Sequence, residues 1–333
     1  MSLLFVDGAT HYATNDMLDK WGSFDAGLTI VETNPRRAGS KSIYSNNTPW
    51  TVRTPPFDAV ETYVVVGCAV RLQPYLSIEL RIGTEVQVRL NYMTDVLKVQ
   101  RGAGVADLAS MNTEGVLVIG EWYYFEFASL IADSGGTIEV RLNGVPLTAL
   151  TLTGLDTKNS ASAGCDRVAF NPGVAGQITD IYVDDTSFHG DCIVETLYPV
   201  GSGSHTVWTP SAGQNWENVD DPSDIDDDAT YNSSGQQGAM DTFLHAPIPS
   251  RPSSVVKALA VHFTARKDWA GSRVMKPMLR VGSTDYVHAG DGLILSDVYH
   301  GQQRMWETNP GGGAWSESTI NTAQIGYDLV TAT

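Results

Sequence analysis

The feature that most restricts what this chain can fold into is the alternation of apolar and polar residues in short runs. Leu76–Ile82 reads LSIELRI and Val86–Tyr92 reads VQVRLNY. A period of two sends successive side chains to opposite faces of an extended strand and is incompatible with one apolar helix face. Gly83-Thr84-Glu85 between the two runs is short enough for a hairpin link. The same signal recurs along the first half. Thr62–Leu72 is rich in β-branched residues, and Val96–Arg101, Val116–Ile119, Trp122–Ser129, Thr137–Leu142, Arg167–Phe170 and Ile178–Asp184 follow. Asn143-Gly144 is a hairpin turn signal, because both residues tolerate φ > 0, and Pro146–Leu152 reads as the returning partner strand.

Strand after strand without intervening helical patterns predicts an all-β fold, an antiparallel sandwich over residues 1–190. Arg71, Glu79, Arg81, Arg89 and Arg141 then point outward while their apolar neighbours point in. Helical turns are expected only near Asn15–Trp21, Val105–Met111 and Ser318–Gln324.

Residues 191–333 read as a second β-sandwich. Cys192–Leu197 looks like a strand, and Pro199–His205 (PVGSGSH) like a flexible, turn-rich stretch. After the polar segment Gly213–Ser234, strands resume at Met240–Leu244, Val255–Thr264, Met278–Val281, Thr284–Val287, Gly292–Ser296, Gln303–Trp306 and Tyr327–Val330.

Charge narrows the function. A formal net charge of −17 repels nucleic acid phosphates, which excludes DNA binding through a basic surface. The opening MSLLFVDGATHYAT has no basic start, and no run approaches the ~20 apolar residues of a membrane helix, so synthesis in a cytoplasm without membrane insertion is expected. Cys68, Cys165 and Cys192 form no zinc pattern. Cys68 reads as a buried small hydrophobe, while Cys165 and Cys192 flank one strand segment and could pair in an oxidising exterior.

Two stretches carry a resemblance. Trp122–Leu147 (WYYFEFASLIADSGGTIEVRLNGVPL) has a tryptophan-led strand, a glycine-containing turn and a strand ending in Asn-Gly. It resembles the concanavalin A-like and laminin-G-like jelly rolls, whose closing strand Ile178–Asp185 (ITDIYVDD) also resembles. The join at 180–221 is similar to virion structural proteins of tailed bacteriophages, on Phe188, Gly190, Asp191, Val194, Leu197, Pro199, Trp208 and Pro210. The opening MSLLFVDGATHYATNDMLDKW and the late RMWETNPGGGAWSESTIN extend that likeness over nearly the whole chain. The resemblance implies a non-enzymatic structural component of the virion, made in the host bacterial cytoplasm. It would sit on the tail or tail fibres, or as capsid decoration or head fibre. Its partners would be other virion proteins and copies of itself, as trimers or higher oligomers. The rival reading is a glycan-binding receptor protein, with a shallow groove lined by Trp, Asn and Asp.

Reactive chemistry is sparse. A retaining glycosidase needs two carboxyl groups ~5–5.5 Å apart, and the E-x-D-x-x-E strand of jelly-roll glucanases is absent. Glu121 with Glu126 fall on opposite strand faces, and Asp180 with Asp184 share a face but belong to the closing strand and its turn. His288 and His300 form no metal-binding pair. Six aspartates in the nine residues from Asp220 to Asp228 are a solvated loop or a Ca²⁺ site, with Asp220, Asp221, Asp224 and Asp226 as the ligands in the second case. No other cofactor is expected. Among tryptophans that could stack on sugar rings, Trp216 and Trp315 sit in polar segments and are the candidates for a glycan or partner contact.

Overall fold

A computed structural model of the protein describes residues 3–46, 50–222 and 224–333. The chain is all-β and divides into two compact units. One takes Trp21–Val194 with the opening residues as far as Thr10; the other takes Glu195–Thr333 with His11–Lys20.

The first unit is a sandwich of two antiparallel sheets. One sheet runs Val145–Pro146, Gly136–Leu142, Trp122–Leu130, Tyr63–Arg71, Gln177–Asp184, Ser42–Ser45, Leu28–Val31. Leu3–Asp7 also pairs with Gln177–Asp184, and Leu152–Leu155 with Gly136–Leu142. The facing sheet runs Ala106–Asn112, Val96–Arg101, Glu85–Met93, Tyr75–Ile82, Arg167–Asn171, Val52–Arg53, Ser23–Phe24. Alternation sets the register. Ile78 opposite Leu90 and Leu80 opposite Val88 are fully buried, while Glu79 opposite Arg89 is polar and only half-buried. A one-residue slip would put Glu79 and Arg89 in the core and is thereby excluded. The hairpin at Asn143 and Gly144 has both φ angles positive, +50° and +78°, and closes Leu142 on Val145. Trp21 anchors the core, tilted against Phe5 at 4.8 Å and edge-on to Phe170 at 6.1 Å.

The second unit has a six-stranded sheet in the order Pro199–Thr206, Met240–His245, Gln324–Ala332, Arg273–Val281, Thr284–Val287, with Leu293–Ile294 also on Arg273–Val281. A two-stranded antiparallel sheet of Leu259–Ala265 and His300–Trp306 packs against it. Phe243, Met275, Tyr327 and Leu329 from the larger sheet pack with Trp208, Ala239, Leu295 and, from the two-stranded sheet, Phe263. Leu279, Val261, Trp315 and Ile320 form a second cluster.

Several expected elements differ. Val105–Met111 is not helical: Ala106–Asn112 is an edge strand, because Gly102 and Gly104 at positive φ turn it back onto Val96–Arg101. Val116–Ile119 is a turn whose Val116, Val118 and Ile119 stay exposed. The return strand after Val145–Pro146 is broken by a 3₁₀ turn at Thr148–Leu150. Cys192–Leu197 joins no sheet. Pro199–His205 is no flexible stretch but part of the strand Pro199–Thr206. A Cβ on Gly203 would lie 2.5 Å from the Thr242 carbonyl oxygen, so its glycine serves close strand approach. Cys68 and Cys165 are buried thiols, and no disulfide joins Cys165 to Cys192. Among the described residues no helix is long and apolar enough to cross a membrane.

Candidate functional site

Three of the carboxylates weighed as a hydrolase pair, Glu126, Asp180 and Asp184, take part in holding the first unit together. Glu126 is fully buried; its Oε1 accepts from the Tyr182 hydroxyl at 2.5 Å and from the Gly190 amide at 2.8 Å. Asp180 is fully buried and receives Arg36, Arg37 and the Val194 amide. Asp184 caps the turn that follows it, accepting from Thr186 and Ser187, and its other oxygen meets His189 Nε2 at 2.8 Å. Burial alone would raise the Asp184 pKa, but these hydrogen bonds outweigh it and hold the carboxyl below its usual range. Glu121 lies exposed, outside this group. Phe188, Gly190 and Asp191, three of the residues that carry the virion resemblance, join the same clasp. The Arg141 guanidinium lies 3.8 Å from the Phe188 ring centre, Gly190 donates to Glu126, and Asp191 pairs with Arg36.

The aspartate run does not converge. Asp220 and Asp221 are half-buried, Asp224 and Asp226 exposed. The Asp226 carboxylate is taken by Thr230, whose amide and hydroxyl reach it at 3.1 and 2.8 Å. Burial, then the charges of Asp226, Asp220 and Asp224, push Asp221 up to about 6. Among the described residues no three His, Cys, Asp or Glu side chains come together as metal ligands. His288 lies edge-on to Trp306 at 4.9 Å.

Neither expected tryptophan is fully exposed. Trp315 is 4% exposed, its indole N–H bonded to the Trp306 carbonyl at 2.7 Å. Trp216 is half-buried in the 3₁₀ turn Asn215–Asn218, against the cluster of Trp208 and Tyr327. Polar neighbours in sequence marked both loops, but both rings fold back onto apolar cores.

Trp269 is the tryptophan that faces solvent, at 76% exposure. It belongs to the loop RKDWAGS between Leu259–Ala265 and Arg273–Val281. The loop is held at both ends. The Lys267 amide donates to the Ser296 carbonyl at 2.7 Å, and its Nζ to the Gly271 carbonyl at 2.6 Å. Arg266 Nη2 donates to Asp228 at 2.7 Å, and the Tyr299 hydroxyl donates to the same oxygen at 2.9 Å. Arg266, Lys267, Asp268, Trp269 and Ala270 line an open depression together with Ser296, Asp297 and the buried Leu295. Ile294 and Val298 lie exposed on neighbouring positions, at 74% and 60%. An exposed indole beside carboxylate and hydroxyl groups can stack on an apolar ring face while its neighbours bond the ring's polar edge. Placement in a polar, glycine-containing loop is the sequence signal that marks Trp269.

No family model and no curated protein matches this chain. Solved structures give distant likenesses. One is domain 4 of an extracellular arabinanase from Geobacillus stearothermophilus in complex with arabinotriose, 12% identical over 54% of this chain and 93% of that one, with a TM-score of 0.37. A protein with a galectin-like fold from Bacillus subtilis is 13% identical over 54% and 97%, with a TM-score of 0.37. A galectin from Caenorhabditis elegans is 14% identical over 43% and 94%, with a TM-score of 0.30.

Proposed function

We propose that the protein is a non-enzymatic saccharide-binding adhesion component that takes its ligand at the Trp269 depression of the second unit. The observation that carries this reading is Trp269 itself. A large apolar ring left 76% exposed costs hydration free energy in the isolated chain, and stacking on a ligand recovers it. Engagement of Glu126, Asp180 and Asp184 in the fold supports binding without hydrolysis. The likeness of residues 180–221 to tailed-phage virion proteins supports a place on the virion, tail or tail fibre first and capsid second, assembled with other virion proteins and with its own copies. The saccharide would then belong to the host surface.

A glycan array followed by calorimetry on the strongest hit tests the reading. Trp269→Ala is expected to weaken binding about 30-fold, the ~2 kcal/mol of a central aromatic contact. Trp216→Ala should leave the affinity within about twofold once the variant is shown to be folded. An array without hits, or a Trp269→Ala protein that binds as the parent does, removes the proposal.

A further inference from the structure

The cations and the anions of this depression are in different states. Both oxygen-seeking cations are already engaged: Arg266 on Asp228, and Lys267 Nζ on the Gly271 carbonyl. The two carboxylates, Asp268 and Asp297, are exposed and line the depression, Asp268 next to Trp269 in sequence. None of the hydrogen bonds or ion pairs of Arg266, Lys267 or Ser296 goes to either of them. A ligand entering here therefore meets an indole face and two open acceptors of negative charge, within a chain of net charge −17. An indole face attracts a cation through its quadrupole, and a carboxylate beside it adds an ionic partner. An acidic sugar would meet like charge instead, with the nearby guanidinium and ammonium already occupied.

Building on the saccharide reading above, we infer that the Trp269 depression selects amine-bearing glycans, those with free protonated amino sugars, over neutral ones and excludes acidic ones. The amino group would sit between the indole face and Asp268 or Asp297, while the ring's apolar face covers Trp269. Because these carboxylates are exposed, the preference is modest and is screened by salt.

The test uses three probes of equal length: a glucosamine tetramer, its fully N-acetylated counterpart and a galacturonic acid tetramer. Each is titrated into the full chain at about pH 6 and low salt. The amine form is expected to bind about tenfold tighter than the acetylated form, equivalent to ~1.4 kcal/mol, and the acid form weakest. Asp268→Asn/Asp297→Asn should reduce the preference for the amine to about twofold or less while preserving acetylated-tetramer binding. Glu85→Gln/Glu114→Gln removes the same net charge at exposed positions of the first unit and should leave the preference intact. Equal binding of amine and acetylated forms, tightest binding of the acid form, or equal effects of the two double variants would overturn the selectivity while the saccharide reading stands. No binding of any tetramer would overturn the amine selectivity, and an array without hits would remove the saccharide reading as well.

Discussion

Asp180→Ala is expected to destabilise the first unit by about 3–5 kcal/mol, the usual cost of removing one partner from a buried ion pair. Asp180 is where three segments meet. Its strand, Gln177–Asp184, is irregular in register between Thr179 and Tyr182, and Asp180 itself sits at φ +51°. Its Oδ2 receives Arg36 at 2.7 Å and also Arg37, and its Oδ1 receives the Val194 amide at 2.9 Å. The two arginines continue onto the segment after the strand. Arg36 donates to the Cys192 carbonyl at 2.9 Å and pairs with Asp191, and Arg37 donates to the Val194 carbonyl at 3.1 Å. Both arginine side chains are only 15–17% exposed, so alanine would deprive two guanidinium groups of their buried carboxylate with little water in reach to replace it. Asp180→Asn keeps an acceptor for Val194 and should cost distinctly less. Hydrogen exchange of the amides in Tyr63–Arg71 and Gln177–Asp184 reads the loss, and limited proteolysis at 187–194 reads release of the clasp. An alanine variant within about 1 kcal/mol of the parent would show that the arginines find other partners and that Asp180 is no keystone.

The same residues show which parts of the molecule could be read from sequence. Long alternating runs such as Leu76–Ile82 fix their own conformation and face, because every second residue must be buried, and the strand Tyr75–Ile82 contains that run whole. Short strands carry no such pattern. Ser23–Phe24, Ser42–Ser45 and Val52–Arg53 are strands only because neighbouring backbones offer hydrogen bonds, a tertiary effect invisible locally. Pro199–Thr206 misleads for the opposite reason, since its glycines signal flexibility in isolation and close packing in context. His11–Lys20 belongs to the second unit through contacts with residues more than two hundred positions later, as when the Asp16 carboxylate accepts from the Ile225 amide at 3.2 Å. For the site, the criterion of a tryptophan in a polar loop is sound but blind to whether the loop folds back. Trp216 and Trp315 do, and Trp269, which meets the same criterion, does not.

Acidification is expected to loosen the second unit around His262, by about 2–3 kcal/mol between pH 7 and about pH 4.5 from that residue alone. His262 lies on the strand Leu259–Ala265, its ring 5.0 Å from that of His11, with Nε2 3.2 Å from the Asp19 carbonyl oxygen. The segment comes close on this side: a Cβ on Gly301, in the partner strand, would stand 1.8 Å from that same oxygen. Burial, then the charge of Lys20, pushes His262 down to about 3, and burial, Lys20 and His262 lower His11 in the same sense. Above about pH 7.5 both imidazoles are almost wholly neutral whether folded or unfolded, and they contribute no pH dependence. Below the unfolded value of about 6.5 and down to about 3 the unfolded chain takes a proton on His262 that the folded chain refuses, so stability falls, by up to ~1.4 kcal/mol per pH unit. Asp19 works against this. Burial, with Asp16 and Asp227, raises it to about 6 while His300 pulls it down, so the folded form takes up its proton first and gains stability over part of the same range. Asp19→Asn removes that compensation and should expose the histidine effect. The sharpest comparison is therefore Asp19→Asn against Asp19→Asn/His262→Phe, with hydrogen exchange of the amides in Leu259–Ala265 and His300–Trp306 followed against pH. The difference between the two should be constant above about pH 7.5 and change by up to ~1.4 kcal/mol per unit below about 6, in favour of the phenylalanine variant. Parallel curves across the whole range would mean that His262 is hydrated in both states, and that the His11–His262 contact carries no penalty for charge.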